Sequence, residues 1–455
     1  MDAPVNSYRV AATNGEITVT GDSRQRVFVG LNAFFKRLPR VPSPRVVDLL
    51  LIGAGVYAID RMVTRRRRGR AQDGIRTFDI SFAVQDPLFW SQPNIREMVI
   101  DALSFLTDDN WSVSFELSIE NGYQPVLPIP WFDPTRVALF SEGLDSAAGL
   151  ADQAAAGTDR IMLVTVGHYP ALRRRTERQV LDLQQQWPRA SLYPASILVS
   201  LRGGVASRLR LQEKTQRSRA FLYCAAGIAA ALACEVSDID LYESGVGAVN
   251  LPLMTGMLSG GLSSRGAHPT FLAKMSALGA SLADRPISFS LPYRDLTKGE
   301  VLGKLRGSHI AQWLQRSRSC VHTSLRTPDV THCGVCPACI ERRQAFAVAK
   351  IEEDTSPYVL DVFRDSLRRD ECDYLALLVE ESAALLEGDP KAMRRLKAHM
   401  VTTEVDLGEY DRILHLLRRH AEEVCQVFPR AQTDDGVEGI SGDNVLSRAS
   451  MGVAL

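Results

Sequence analysis

Arg136-Val137-Ala138-Leu139-Phe140-Ser141-Glu142-Gly143-Leu144-Asp145-Ser146-Ala147-Ala148-Gly149-Leu150 is the stretch on which the reading of this chain turns. An apolar run ends in Ser-Glu-Gly, and a run of small and apolar residues follows, which reads as strand, tight turn and helix. A turn between a buried strand and a helix N-terminus exposes several backbone N–H groups, and the helix dipole favours an anion there. Gly143 and Leu144 would offer backbone to a phosphate, Ser141 and Ser146 would add hydroxyls, and Asp145 could help hold Mg²⁺ against the phosphates. No Gly-Lys-Ser/Thr follows, so this is not a Walker A loop. Taken alone, it reads equally well as an ordinary turn with Ser and Asp as caps.

Working outward, Ile161–Val166, Leu192–Leu201 and Ile239–Leu241 read as further strands, with helical runs between them that include Phe221–Ala233. That alternation predicts an α/β fold, a doubly wound parallel sheet covered on both faces, with ligands at the carboxyl ends of its strands. Upstream, Thr77–Val84 and Trp111–Leu117 read as strands and Ile95–Phe105 as a helix, a small α+β domain. The basic cluster Arg65–Arg68 and Arg70 reads as a solvated loop, because no aromatic residues interleave it. Pro128–Pro134 is a Pro-rich boundary. Beyond residue 350, Leu375, Leu378, Leu385, Leu386, Ile413, Leu414, Leu416 and Leu417 fall at helical spacing. The expected division is therefore an accessory domain over 1–130, a sheet domain over 131–350, a helical appendage over 351–430 and a disordered tail over 431–455.

The 455 residues carry 53 basic and 53 acidic side chains, so no global field recommends nucleic acid or an anionic membrane as partner. Met1-Asp2-Ala3-Pro4 opens no signal peptide, and no run of about 18 apolar residues occurs, which predicts a cytoplasmic protein.

Cys320, Cys333, Cys336 and Cys339 lie in the segment Cys320…Cys333-Gly334-Val335-Cys336-Pro337-Ala338-Cys339-Ile340-Glu341-Arg342. In a reducing compartment two overlapping Cys-x-x-Cys units and one upstream Cys fit tetrahedral zinc, and a four-thiolate site has no open position, so it is expected to be structural. His322 and His332 are alternative ligands for one position. Cys224, Cys234, Cys372 and Cys425 read as core residues.

The loop at Ser141–Ser146 resembles the Ser-Gly-Gly-x-Asp-Ser loop of the ATP pyrophosphatases, with Glu142 in place of the first Gly; either that side chain turns outward or it reshapes the loop. Loop and cysteine motif together look like the 7-cyano-7-deazaguanine synthase (QueC) family, over about residues 135–350. Val166-Gly167-His168-Tyr169 resembles its substrate-side turn, Arg217–Leu222 its Arg-Asn segment, and Leu291–Glu300 its segment ending in Lys-x-Glu. The resemblance implies a PP-loop fold and an enzyme, a ligase forming C–N bonds, that uses ATP, Mg²⁺ and Zn²⁺. ATP would adenylate a 7-deazaguanine carboxylate, with Asp145, Lys298 and Arg217 as catalytic residues and His168, Arg265 and His268 against the substrate. The added length, and Glu243–Leu253 with Ser263–Thr270 in place of the usual substrate segment, look like the enlarged QueC-like proteins of anti-phage operons of the Qat and type IV CBASS kinds. In those, the resemblance implies, the activated acid passes to the N-terminus of a partner protein. The alternatives are a nitrile synthase using ammonia, a tRNA-modifying enzyme sharing the loop, and a non-catalytic scaffold.

Overall fold

The computed structural model describes residues 5–13, 16–65, 74–119, 133–157, 159–167, 170–202, 213, 215–252, 264–322, 330–365 and 367–429. Its strands are β1 (Val5–Thr13), β2 (Glu16–Thr20), β3 (Arg24–Val29), β4 (Thr77–Val84), β5 (Asn110–Leu117), β6 (Arg136–Leu139), β7 (Arg160–Gly167), β8 (Ser191–Arg202), β9 (Asp238–Leu241) and β10 (Ser288–Ser290). Helices α1 (Leu31–Phe35), α2 (Pro44–Met62), α3 (Pro87–Trp90), α4 (Pro93–Thr107), α5 (Leu144–Ala156), α6 (Pro170–Gln186), α7 (Arg219–Cys234), α8 (Gly245–Val249) and α9 (Pro269–Ala283) intervene. After them come α10 (Lys298–Gly303), α11 (Ala311–Leu314), α12 (Pro337–Ala349), α13 (Arg369–Glu387), α14 (Pro390–Thr402) and α15 (Tyr410–Val427). The architecture is mixed α/β with a large, mostly parallel sheet and a helical C-terminal part.

The chain forms two compact units. The first takes the described residues of 1–141, 153–242 and 248–292, and the second those of 142–152, 243–247 and 293–455.

Among the described residues all ten strands lie in the first unit, in the order β10-β9-β6-β7-β8-β3-β2-β1-β4-β5. The strands β10, β9, β6, β7 and β8 are parallel, as the alternation of strand and helix requires. Beyond β8 the sheet turns antiparallel: β3 pairs with it through Val27↔Leu201 and Val29↔Val199, and β2 and β1 continue that sense before β4 and β5 return to parallel. The strands of residues 5–117 and those of residues 136–290 thus share one sheet and one apolar core. Helix α2 is the reason they share a core. Pro44 starts it at the first helical position, and Val46–Arg61 are all buried, apolar almost all round, against α7 and the strands β1 and β2.

The polar residues inside this core are paired. Asp109 takes both terminal nitrogens of Arg65, at 2.9 and 2.7 Å, and Arg76 Nη2 at 2.6 Å. Arg76 also reaches Asp60, which accepts from the Ser218 hydroxyl and backbone N–H. Arg65 is therefore a buried ion-pair residue and not part of a solvated loop. The expectation failed because it counted charges without asking which acids could meet them; Arg66, Arg67, Arg68 and Arg70 lie outside the described residues.

In the second unit α13 and α15 pack together, α12 lies against both, and α10 packs on α12. No helix among the described residues is long and apolar enough to cross a membrane.

Candidate functional site

The chain leaves β6 and its neighbour β9 by segments 142–152 and 243–247, which pack with the C-terminal residues of the second unit. Segment 142–146 is fixed by its backbone. The Glu142 carbonyl accepts from Arg318 N–H at 2.6 Å, Leu144 N–H donates to Ser319 Oγ at 3.3 Å, and the Gly143 carbonyl takes Ala147 N–H, opening α5. Glu142 is buried, 6% exposed, so its side chain is turned into the protein and not outward. Ser146 is buried in the first turn of α5, and Ser141 is the last residue of its stretch of the first unit.

Asp145, in that first turn, meets Lys298, the first residue of α10: Nζ lies 3.0 Å from Asp145 Oδ2 and 3.1 Å from Glu341 Oε2 on α12. Both side chains of the Asp145–Lys298 pair are about five-sixths buried, at 16% and 15% exposure. Asp145 Oδ1 is buried and has no hydrogen-bond partner among the described residues. The backbone of Lys298 is set by a capping box, in which Thr297 Oγ1 accepts from Glu300 N–H at 3.1 Å and Glu300 Oε2 accepts from Thr297 N–H at 2.8 Å.

The electrostatics follow from burial and from this clustering. Burial opposes a charged Lys298, yet Asp145, Glu341 and Glu243 outweigh it and hold the ammonium firmly protonated. Glu341 is pushed up by burial but held below the usual carboxylate range by Lys298. Burial, with Asp145 next to it, drives the Glu243 carboxyl well above that range. His420, on α15, is brought down to about 4 by burial, against Glu341, and is neutral.

The four cysteines come together. Cys320, Cys333, Cys336 and Cys339 are buried, with all four Sγ within 4.8 Å of one another and the Cys333–Cys339 and Cys336–Cys320 pairs at 4.0 Å. Tetrahedral zinc with Zn–S near 2.3 Å spaces its sulfurs at about 3.8 Å, so the donor set fits Zn²⁺. Four buried thiols at this distance ionise together only around a cation. Gly334, at φ +92°, makes the knuckle, since a Cβ there would stand 1.8 Å from the Leu360 carbonyl oxygen. His322 approaches as a neighbour, Nδ1 to Cys333 Sγ at 3.4 Å, and His332 stacks on Tyr358. Arg342 and Arg343 clasp Glu353 behind the cluster, and Arg342 also holds the Ser317 carbonyl, which fixes the strap Ser317–Cys320 that ties the loop.

The remaining candidate residues lie in the first unit. Arg217 is buried and contacts the Thr107 carbonyl at 3.2 Å and Asp108 at 3.4 Å, its basicity lowered to about 10 by burial and by the nearby Arg65. Arg265 holds the other oxygen of Asp108, at 2.7 Å, and the Phe105 carbonyl. His268 caps α9, its Nδ1 accepting from Thr270 N–H at 3.3 Å. His168 lies outside the described residues, as do Leu253 and Ser263 of the two stretches that stand in place of the usual substrate segment. Glu243, Glu341 and Tyr374, which donates to Glu341 Oε1 at 3.2 Å, were missed from sequence, because isolated acids and a tyrosine carry no spacing signal. The one available hint was that Glu341 sits inside the cysteine motif.

Residues 266–350 match the family described as Queuosine biosynthesis protein QueC. The match contains Lys298, Glu341 and all four cysteines, and begins beyond the loop at 141–146. No curated protein matches the chain. Residues 266–350 are thus a QueC-like domain, which suggests an ATP-using enzyme with a cysteine cluster able to hold metal.

Proposed function

We propose that the protein is a QueC-like, PP-loop enzyme that adenylates a 7-deazaguanine carboxylate at the expense of ATP and transfers the acyl group to an amine, the N-terminus of a partner protein, in anti-phage defence. One observation carries the reading: a lysine and an aspartate, paired at 3.0 Å and largely buried, at a helix N-terminus that follows a central parallel strand. In sheets of this kind ligands sit outside the carboxyl ends of the strands.

A carboxylate is a poor electrophile at neutral pH. Attack of its oxygen on the α-phosphorus forms a P–O bond, breaks the bond to the β-phosphate oxygen and releases pyrophosphate. The acyl carbon then takes the amine nitrogen, the C–O bond to AMP breaks, and the ammonium proton goes to solvent. The loop N–H groups and the Lys298 ammonium neutralise charge growing on the departing pyrophosphate. Magnesium arriving with ATP would be held through Asp145, whose Oδ1 is buried and without a partner among the described residues, and would screen the phosphates. Zinc on the four cysteines supplies no chemistry; through Ser317–Cys320 those residues hold the loop. Arg217, the proposed second catalytic cation, and Arg265, a proposed substrate contact, meet at Asp108, while His268, the other proposed substrate contact, caps α9 beside Phe105.

The match to a queuosine biosynthesis family favours a second reading, a nitrile synthase in which ammonia is the amine and dehydration follows. Mass spectrometry after incubation with 7-carboxy-7-deazaguanine, ATP and either ammonia or the protein encoded by a neighbouring gene separates the two. A protein conjugate heavier by the acyl group is expected; a nitrile alone would establish the second reading.

A further inference from the structure

Lys298 stands on a stem of four methylenes, so fixing its backbone does not fix its charge. The backbone is well held. Besides the capping box, Thr297 Oγ1 donates to Glu423 Oε1 at 2.5 Å from α15, and a Cβ on Gly299 would come 2.7 Å from Val348 Cγ1 on α12. The ammonium itself rests on two carboxylates of different standing. Asp145 lies in the phosphate loop and keeps one oxygen unpartnered among the described residues, whereas Glu341 has both oxygens engaged, Oε2 by Lys298 and Oε1 by the Tyr374 hydroxyl on α13. An incoming polyphosphate with its metal competes for Asp145. Glu341, 31% exposed against 16% for Asp145, is instead held by a second anchor, Tyr374, that a ligand at the loop does not contest.

We propose that Glu341, steered by Tyr374, is the positioning residue that tethers the Lys298 ammonium beside the phosphate loop, so that α12 and α13 complete the catalytic centre. The inference rests on the adenylation reading for its catalytic meaning and on the geometry alone for the tether. When Asp145 turns to the bound nucleotide, the Glu341 arm keeps the ammonium where pyrophosphate departs.

The test compares Glu341→Gln and Tyr374→Phe with the wild type. The first keeps the shape and removes the charge; the second removes one hydroxyl. Two readouts are taken: AMP formation from ATP and 7-carboxy-7-deazaguanine, resolved into kcat and KM, and acylation of Lys298 by acetic anhydride, quantified by peptide mass spectrometry. Displacement of a charge by about 1 Å costs up to about 100-fold in rate. Both variants are therefore expected to lose about 10- to 100-fold in kcat, with KM for ATP within about threefold, zinc content unchanged and Lys298 acylated at least about threefold faster. Wild-type kcat and wild-type acylation in both variants would overturn the tether, as would a loss of kcat matched by a loss of zinc. If the wild type forms no AMP while both variants still expose Lys298 to acylation, the adenylation reading falls and the tether stands.

Discussion

Asp109→Asn is the substitution that most directly probes how residues 5–117 are built into the sheet unit. The carboxylate is fully buried and accepts from Arg65 Nη1 and Nη2, from Arg76 Nη2, and from the Arg76 backbone N–H at 3.0 Å. Asparagine keeps the shape and one acceptor but removes the charge. Arg76, 5% exposed, would keep Asp60, while the Arg65 guanidinium, 1% exposed, would lose the carboxylate it pairs with. Breaking a buried pair from one side costs about 3–5 kcal/mol, a large part of the roughly 5–15 kcal/mol that holds a typical domain folded. At about 2–4 °C per kcal/mol the unfolding midpoint should fall by about 6–20 °C. The assay is a thermal scan by circular dichroism, with Glu116→Gln as control, since the Arg9–Glu116 pair is half exposed and worth at most about 1 kcal/mol. A fall for Asp109→Asn no larger than for the control would refute the claim that this network holds the unit together.

Gly334→Ala would place its Cβ 1.8 Å from the Leu360 carbonyl at a backbone angle that disfavours side chains, so bound zinc by elemental analysis should fall below about half of one ion per chain, and full occupancy would contradict the knuckle. Glu423 is pushed up to about 7 by burial, against hydrogen bonds from Thr297 and Gln344. A raised carboxyl stabilises fully below its unfolded value near 4.5 and loses that contribution as pH rises through about 7, so the wild type should lose about 2.5 kcal/mol more than Glu423→Gln between pH 5 and pH 8. Equal losses of unfolding free energy by the two proteins between these pH values, from urea titrations, would remove that assignment. Deletion of residues 1–125 removes β1–β5 and α2, which share the core with α7, so the truncated chain should be insoluble or lack a cooperative transition; a soluble chain with a sharp transition would show that 126–455 folds alone.

Much of this was legible in the sequence wherever a local period existed. The strands at 77–84, 111–117, 161–166, 192–201 and 239–241 and the helices near 95–105 and 221–233 all lie where apolar spacing put them. Helix α2 was not read, because a helix buried on every side has no polar face to set a period, and its Asp48 and Asp60 find partners far along the chain. The antiparallel join of β3 to β8 pairs Val27 with Leu201, a contact that no local rule encodes. The cysteine cluster was readable because metal spacing is short-range. Lys298 was reached through a motif, whereas Glu243, Glu341 and Tyr374 gather around it only in three dimensions.

Asp145, in the loop after β6, is proposed to serve ATP-dependent activation of a carboxylate. The most direct test is AMP and pyrophosphate release by Asp145→Asn with ATP, Mg²⁺, 7-carboxy-7-deazaguanine and an amine acceptor. The wild type is predicted to release both, and the variant to fall at least about 100-fold while its zinc content and unfolding midpoint hold. Wild-type turnover by Asp145→Asn would contradict the claim and place the chemistry elsewhere in the chain.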